Sequence, residues 1–84
     1  MIYPLYSVQD AATGFLTPTM DSNDASALRN FRHAMIASRD VMHTHPSDFA
    51  LYRIGSFDTE SGILTPLTPP ALILRGSKEE IDHV

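Results

Sequence analysis

The sequence predicts an α+β fold of ββαββ order, two related β-hairpins flanking one amphipathic helix, and two observations predict it. The first is an internal repeat: Leu5-Tyr6-Ser7-Val8 returns as Leu51-Tyr52-Arg53-Ile54, and Asp10 to Gly14 followed by Phe15-Leu16-Thr17-Pro18 returns as Asp58 to Gly62 followed by Ile63-Leu64-Thr65-Pro66. Two copies are too few for a solenoid, so they read as one duplicated supersecondary unit. The second is the stretch between the copies, which carries helix-start residues and then an uninterrupted helix-compatible run to about Asp40.

Each copy reads as a hairpin, over residues 2–18 and 49–66. Alternating aromatic and branched residues precede an Asp-x-x-[Ser/Thr]-Gly turn, and a short apolar strand follows it. Asp10 and Asp58 can accept hydrogen bonds from backbone two residues on, and Gly14 and Gly62 tolerate the positive φ that closes such a loop. Pro18 and Pro66 either stop the outgoing strands or confine them to edges, because proline has no N–H to donate to a ladder. The second copy carries two extra residues, Gly55 and Ser56.

The helix is expected over residues 23–40, with Ser22 or Asn23 as N-cap and Asp24 favourable at its positive end. At 100° per residue Leu28, Phe31 and Met35 form an apolar stripe, widened by Ala27 and Ala34, that should pack on the sheet. Arg29, Arg32, His33 and Arg39 fall on a different face. Pro46 makes residues 43–48 a loop. Residues 1–70 form the expected single domain and 71–84 a partly mobile C-terminal extension. In that extension Ala71-Leu72-Ile73-Leu74 reads either as a short helix begun by the prolines or as an added edge strand.

Composition narrows the function classes. Hydrophobic content of 43% and seven aromatics describe a chain that folds. At 84 residues the folded state hides only about 60–65% of the unfolded surface, so a second copy or partner would add stability. A charge of −4 and a pI near 5.3 oppose general phosphate coating, which draws on many Lys and Arg. No cysteine is present, which removes disulfides, thiolate nucleophiles and Cys-based zinc sites and suits a reducing interior. No apolar run reaches the roughly 18 residues of a spanning helix, and no secretory leader is read at the start, so no membrane partner is expected.

Few side chains point to chemistry. His43-Thr44-His45 offers two imidazoles on one side of an extended segment but no evident third ligand, and short loops often carry unliganded histidines, so no metal is expected. No Gly-x-Ser-x-Gly elbow and no phosphate-cradling glycine loop occur, and the acids Asp10, Asp58 and Glu60 are explained by turns. An enzyme is not expected, nor a cofactor. The arginines Arg29, Arg32, Arg39 and Arg53 are the nucleic-acid-binding candidates, since guanidiniums offer paired donors to phosphate oxygens; the competing reading is the solvated side of an amphipathic helix. With one helix covering one sheet face, aromatics on the other side need a partner. Tyr6, Tyr52, Phe57, Leu72 and Leu74 are the candidate interface residues of an expected homodimer.

Met-Ile-Tyr-Pro-Leu-Tyr-Ser-Val at the start, Thr13-Gly14-Phe15-Leu16-Thr17-Pro18, Asn23-Asp24 leading into an Arg-bearing helix, and Leu51-Tyr52-Arg53-Ile54-Gly55 with Phe57-Asp58 form an ordered set. The set covers about residues 1 to 68 and resembles the small nonstructural protein of gokushoviruses, single-stranded-DNA bacteriophages of the microvirus group. That resemblance implies a nonstructural or DNA-binding role in the host bacterial cytoplasm, tied to viral DNA replication and packaging. It brings no catalytic residues. Single-stranded DNA is one implied partner. A protein adaptor that contacts the replication enzyme, the procapsid or a host factor without touching DNA is the rival reading, which the acidic charge suits equally well.

Overall fold

The computed structural model describes residues 1–82. Five antiparallel strands form one sheet: β1 (Ile2–Asp10), β2 (Gly14–Phe15), β3 (Thr19–Met20), β4 (Phe49–Asp58) and β5 (Leu64–Arg75). Their order is β2-β1-β4-β5, with β3 pairing the same edge of β1 further along. Helix α1 (Asp24–Ala37) covers one face, α2 (Val41–Thr44) and a 3-10 turn at Pro46–Asp48 lead back to β4, and α3 (Lys78–Asp82) closes the described chain. The α+β class and the hairpin-helix-hairpin order are those the repeat predicts.

Both hairpin turns use the same device. The Ala12 N–H donates to Asp10 Oδ1 at 2.9 Å and the Glu60 N–H donates to Asp58 Oδ1 at 2.9 Å. Gly14 and Gly62 follow with φ of 103° and 74°, a region that costs an L side chain strain. The arms then differ. In the first copy β2 ends before Pro18 and the chain re-pairs with β1 as β3; in the second, β5 runs on through Pro66 as an edge strand.

The two extra residues of the second copy are accommodated in the ladder. Leu5 stands opposite Gly55 and Tyr6 opposite Arg53, so Ile54 is left over as a bulge. Gly55 lets β4 and β5 approach closely, since a Cβ there would lie 2.4 Å from the Thr65 carbonyl oxygen. Residues 67–70 then stand off the ladder before Ala71 rejoins it opposite Arg53.

The core lies between α1 and the sheet. Ala27, Phe31 and Met35 are buried at i, i+4 and i+8 against Tyr6, Phe49 and Leu51, with Val8, Ile73, Leu74 and Ile81 packed around them. Asn23 is the N-cap, its side chain accepting the Ser26 N–H at 2.8 Å. The helix stops at Ala37, not Asp40. Ser38 is extended and its hydroxyl donates to the Asp40 carboxylate, which also accepts the Met42 N–H and caps α2. This local bonding competes with helix continuation and holds the Asp40 carboxyl below the ordinary carboxylate range, the Ser38 hydroxyl contributing most.

The expected boundary at residue 70 is also corrected. Residues 71–75 belong to β5, so the edge-strand reading of the apolar tetrad is the one the fold uses, because Leu51, Tyr52 and Arg53 offer it a ladder. Lys78–Asp82, expected within the mobile extension, is helical and packs Ile81 on the core. His83 and Val84 lie outside the described residues.

Candidate nucleic-acid interface

Because Phe31 faces the sheet, a helical step of 100° per residue turns Arg29 and His33 within about 20° of the opposite direction, straight into solvent. Both are exposed. From Ala25 through Arg39 the chain carries three arginines and one histidine and no carboxylate, although it has ten acids in all. Arg32 sits on the flank of this face, and its Nε donates to Glu80 Oε2 at 2.8 Å, tying α3 to α1. Arg39, expected on the helix, lies in the elbow after it and is exposed. The outer side of α1 and the elbow after it thus carry a basic strip from Arg29 to Arg39, with one member, Arg32, partly neutralised by Glu80.

Arg53 is elsewhere. It stands opposite Tyr6 on the side of the sheet that α1 covers, and its Nη2 lies 3.3 Å from Asp24 Oδ2. Tyr6 Oη donates to Asp24 Oδ1 at 2.5 Å, so one carboxylate at the first turn of α1 is held by a strand tyrosine and a strand arginine. Burial, reinforced by that hydrogen bond, pushes the Tyr6 phenol well above its ordinary range. Arg53 Nε is buried with no hydrogen-bond partner among the described residues. Arg53 therefore docks the helix and is not part of the α1 strip, a correction to the expected set of four. A cleft of about 610 Å³ opens beside this pair, lined by Ile2, Pro4, Asn23, Asp24 and Ser56 among others.

The candidate interface residues divide. Tyr6 is fully buried beneath α1 and so not available to a partner, and Leu74, partly buried, packs against the core. Tyr52, Phe57 and Leu72 lie on the opposite, bare side of the sheet. The reason is register. Tyr52 pairs with Ser7 while Tyr6 pairs with Arg53, so the equivalent tyrosines of the repeat point to opposite faces. On the bare side Phe15 packs edge-on against Tyr52, ring centroids 5.4 Å apart, above buried Ser7, whose hydroxyl donates to the Leu16 carbonyl at 2.6 Å. By register Arg75, opposite Ala50, joins this side; sequence reasoning did not single it out, and only the pairing of β4 with β5 locates it.

The histidine pair is occupied locally. His43 Nδ1–H donates to the Met35 carbonyl at 3.0 Å, and His45 Nδ1 is 2.9 Å from Thr44 Oγ1. Among the described residues no group of three or more histidines and acids has a metal-holding arrangement, and no helix is long and apolar enough to cross a membrane.

A family model described as Phage ORF5 protein matches residues 3–79. Neither the curated proteins nor the solved structures contain a match.

Proposed function

Because this chain belongs to the Phage ORF5 protein family, we propose that it is a non-enzymatic, gokushovirus-type phage protein that serves genome replication or packaging in the host bacterial cytoplasm by contacting single-stranded DNA weakly through the outer face of α1. The observation that carries this reading is the run from Ala25 to Arg39, which holds three of the six Lys and Arg of an acidic chain and no carboxylate, and whose helical part is turned outward by the burial of Phe31. Arg29 and Arg39 supply phosphate contacts directly, and Arg32 joins when phosphate replaces Glu80. The affinity is low, since each cation displaces counterions from one phosphate and there are few of them.

Fluorescence anisotropy of a labelled single-stranded oligonucleotide, with a duplex of equal length as control, tests this. Two to three neutralised phosphates give a log-log salt slope between about −1.4 and −2. Replacing Arg29, Arg32 and Arg39 by alanine should abolish binding, and unchanged binding of that variant removes the reading. A second reading, an adaptor for the replication enzyme, the procapsid or a host factor, draws on the exposed apolar side chains of the bare sheet face. Its contacts would be nearly insensitive to salt.

A further inference from the structure

We infer that two copies of this chain pack bare sheet face against bare sheet face. Register places Tyr3, Phe15, Tyr52, Phe57, Leu64 and Leu72 on the side away from α1. Phe15, Leu64 and Leu72 are 48%, 64% and 52% exposed, so the face presents its apolar chains to water. Several large apolar side chains left exposed on one sheet face mark an interaction site.

Charge selects the occupant. The two carboxylates within the strands, Asp10 and Asp58, stand opposite Phe49 and Ile2, on the side that carries α1. By register the bare side holds one charged residue, Arg75 at its end, and no acid. A chain of net charge −4 meets least repulsion from its own copy through a surface without carboxylates. This face is such a surface, and it is self-complementary because it is apolar on both copies.

Size agrees. The strands β1, β4 and β5 have 9, 10 and 12 residues, and β2 and β3 fill a fourth column. At ~3.3 Å per residue and ~4.8 Å between strands, four columns cover roughly 600 Å² of flat face, and side-chain relief brings that to roughly 800 Å², the amount each partner gives to a standard interface. The edges offer a poorer route. On one side β2 and β3 are two residues each; on the other, Pro66, Pro69 and Pro70 lack donors and residues 67–70 stand off the ladder. Edge-to-edge pairing is therefore blunted, which leaves the face. The contact is isologous, so one substitution acts twice across it, and it leaves both α1 helices on the outside.

Sedimentation equilibrium on the full chain tests the inference, from the low micromolar range to about 200 μM, because interfaces of this size span micromolar and tighter affinities. The wild-type chain should sediment as twice its 9.3 kDa mass. Leu72→Glu, at a half-exposed position, should keep its circular dichroism and weaken the dimer at least about 100-fold. Val41→Glu, exposed on α2, should remain dimeric. A wild-type chain that stays at 9.3 kDa throughout, a folded Leu72→Glu that remains dimeric, or a dimer broken by Val41→Glu would each overturn the proposal.

Discussion

On the side of the sheet that α1 covers, Tyr6, Phe49 and Leu51 lose nearly all contact with water, whereas on the opposite side Phe15, Leu64 and Leu72 keep about half or more of theirs. The covered set comes from the central strands β1 and β4 and the exposed set from the edge strands β2 and β5, each strand alternating between the two sides as β4 does with Leu51 toward α1 and Tyr52 away from it. Cover and edge position both differ. A single helix of 14 residues can shield one face of a sheet, and the repeat that built the sheet supplies no second helix. Apolar patterning on a strand does not by itself identify the core. Burial depends on which face the connection between the two hairpins crosses.

That comparison predicts unequal costs. The largest effect belongs to the covered face: Phe31→Ala should cost about 3–5 kcal/mol in urea unfolding, enough to threaten a domain of this size. Tyr6→Phe should cost less, about 1.5–3 kcal/mol, since it removes one hydrogen bond to a charged group while keeping the ring buried. It also has a pH signature. The Tyr6 phenol is raised in the native state, so below the ordinary tyrosine value near 10 both states are neutral and the contribution is complete. Above it the unfolded chain ionises first, native protein holds more protons, and stability falls as pH rises. The variant should lose that alkaline decline; an unchanged decline would show that Tyr6 is not its source. The smallest effect belongs to the bare face. Phe15→Ala should cost under about 1 kcal/mol in dilute, monomeric protein, because its ring is half exposed before any substitution. A cost matching that of Phe31→Ala would erase the distinction between the faces.

The hairpin turns were the most legible part of the sequence, because their mechanism is local: an Asp that accepts from two residues on and a Gly four residues later suffice. The buried stripe of α1 was legible for the same reason, through Phe31 and Met35. Other features depend on contacts distant in sequence. The continuation of β5 through its prolines is set by Gly55 and the ladder of β4, and the docking of α3 by Arg32 and the core. The early stop of α1 was local but easily overlooked, since Asp40 reads equally as a last helical residue or as the cap of another helix. For the candidate site, Arg29, Arg32 and Arg39 were visible as a cluster away from the apolar stripe of the helix. Arg53 was misplaced because its partner Asp24 is 29 positions away, and Tyr6 because the repeat hides the one-residue offset that turns equivalent tyrosines to opposite faces.

We propose a division of labour, with the basic outer side of α1 for single-stranded DNA and the bare sheet for a second copy. The most direct test is a titration of isotope-labelled protein with a single-stranded oligonucleotide, followed through backbone amide chemical shifts. Salt-sensitive changes are expected along α1 and the elbow at Arg39, with the amides of Phe15, Tyr52 and Leu72 unmoved. Changes concentrated on Phe15, Tyr52 and Leu72, or none along α1, would contradict it.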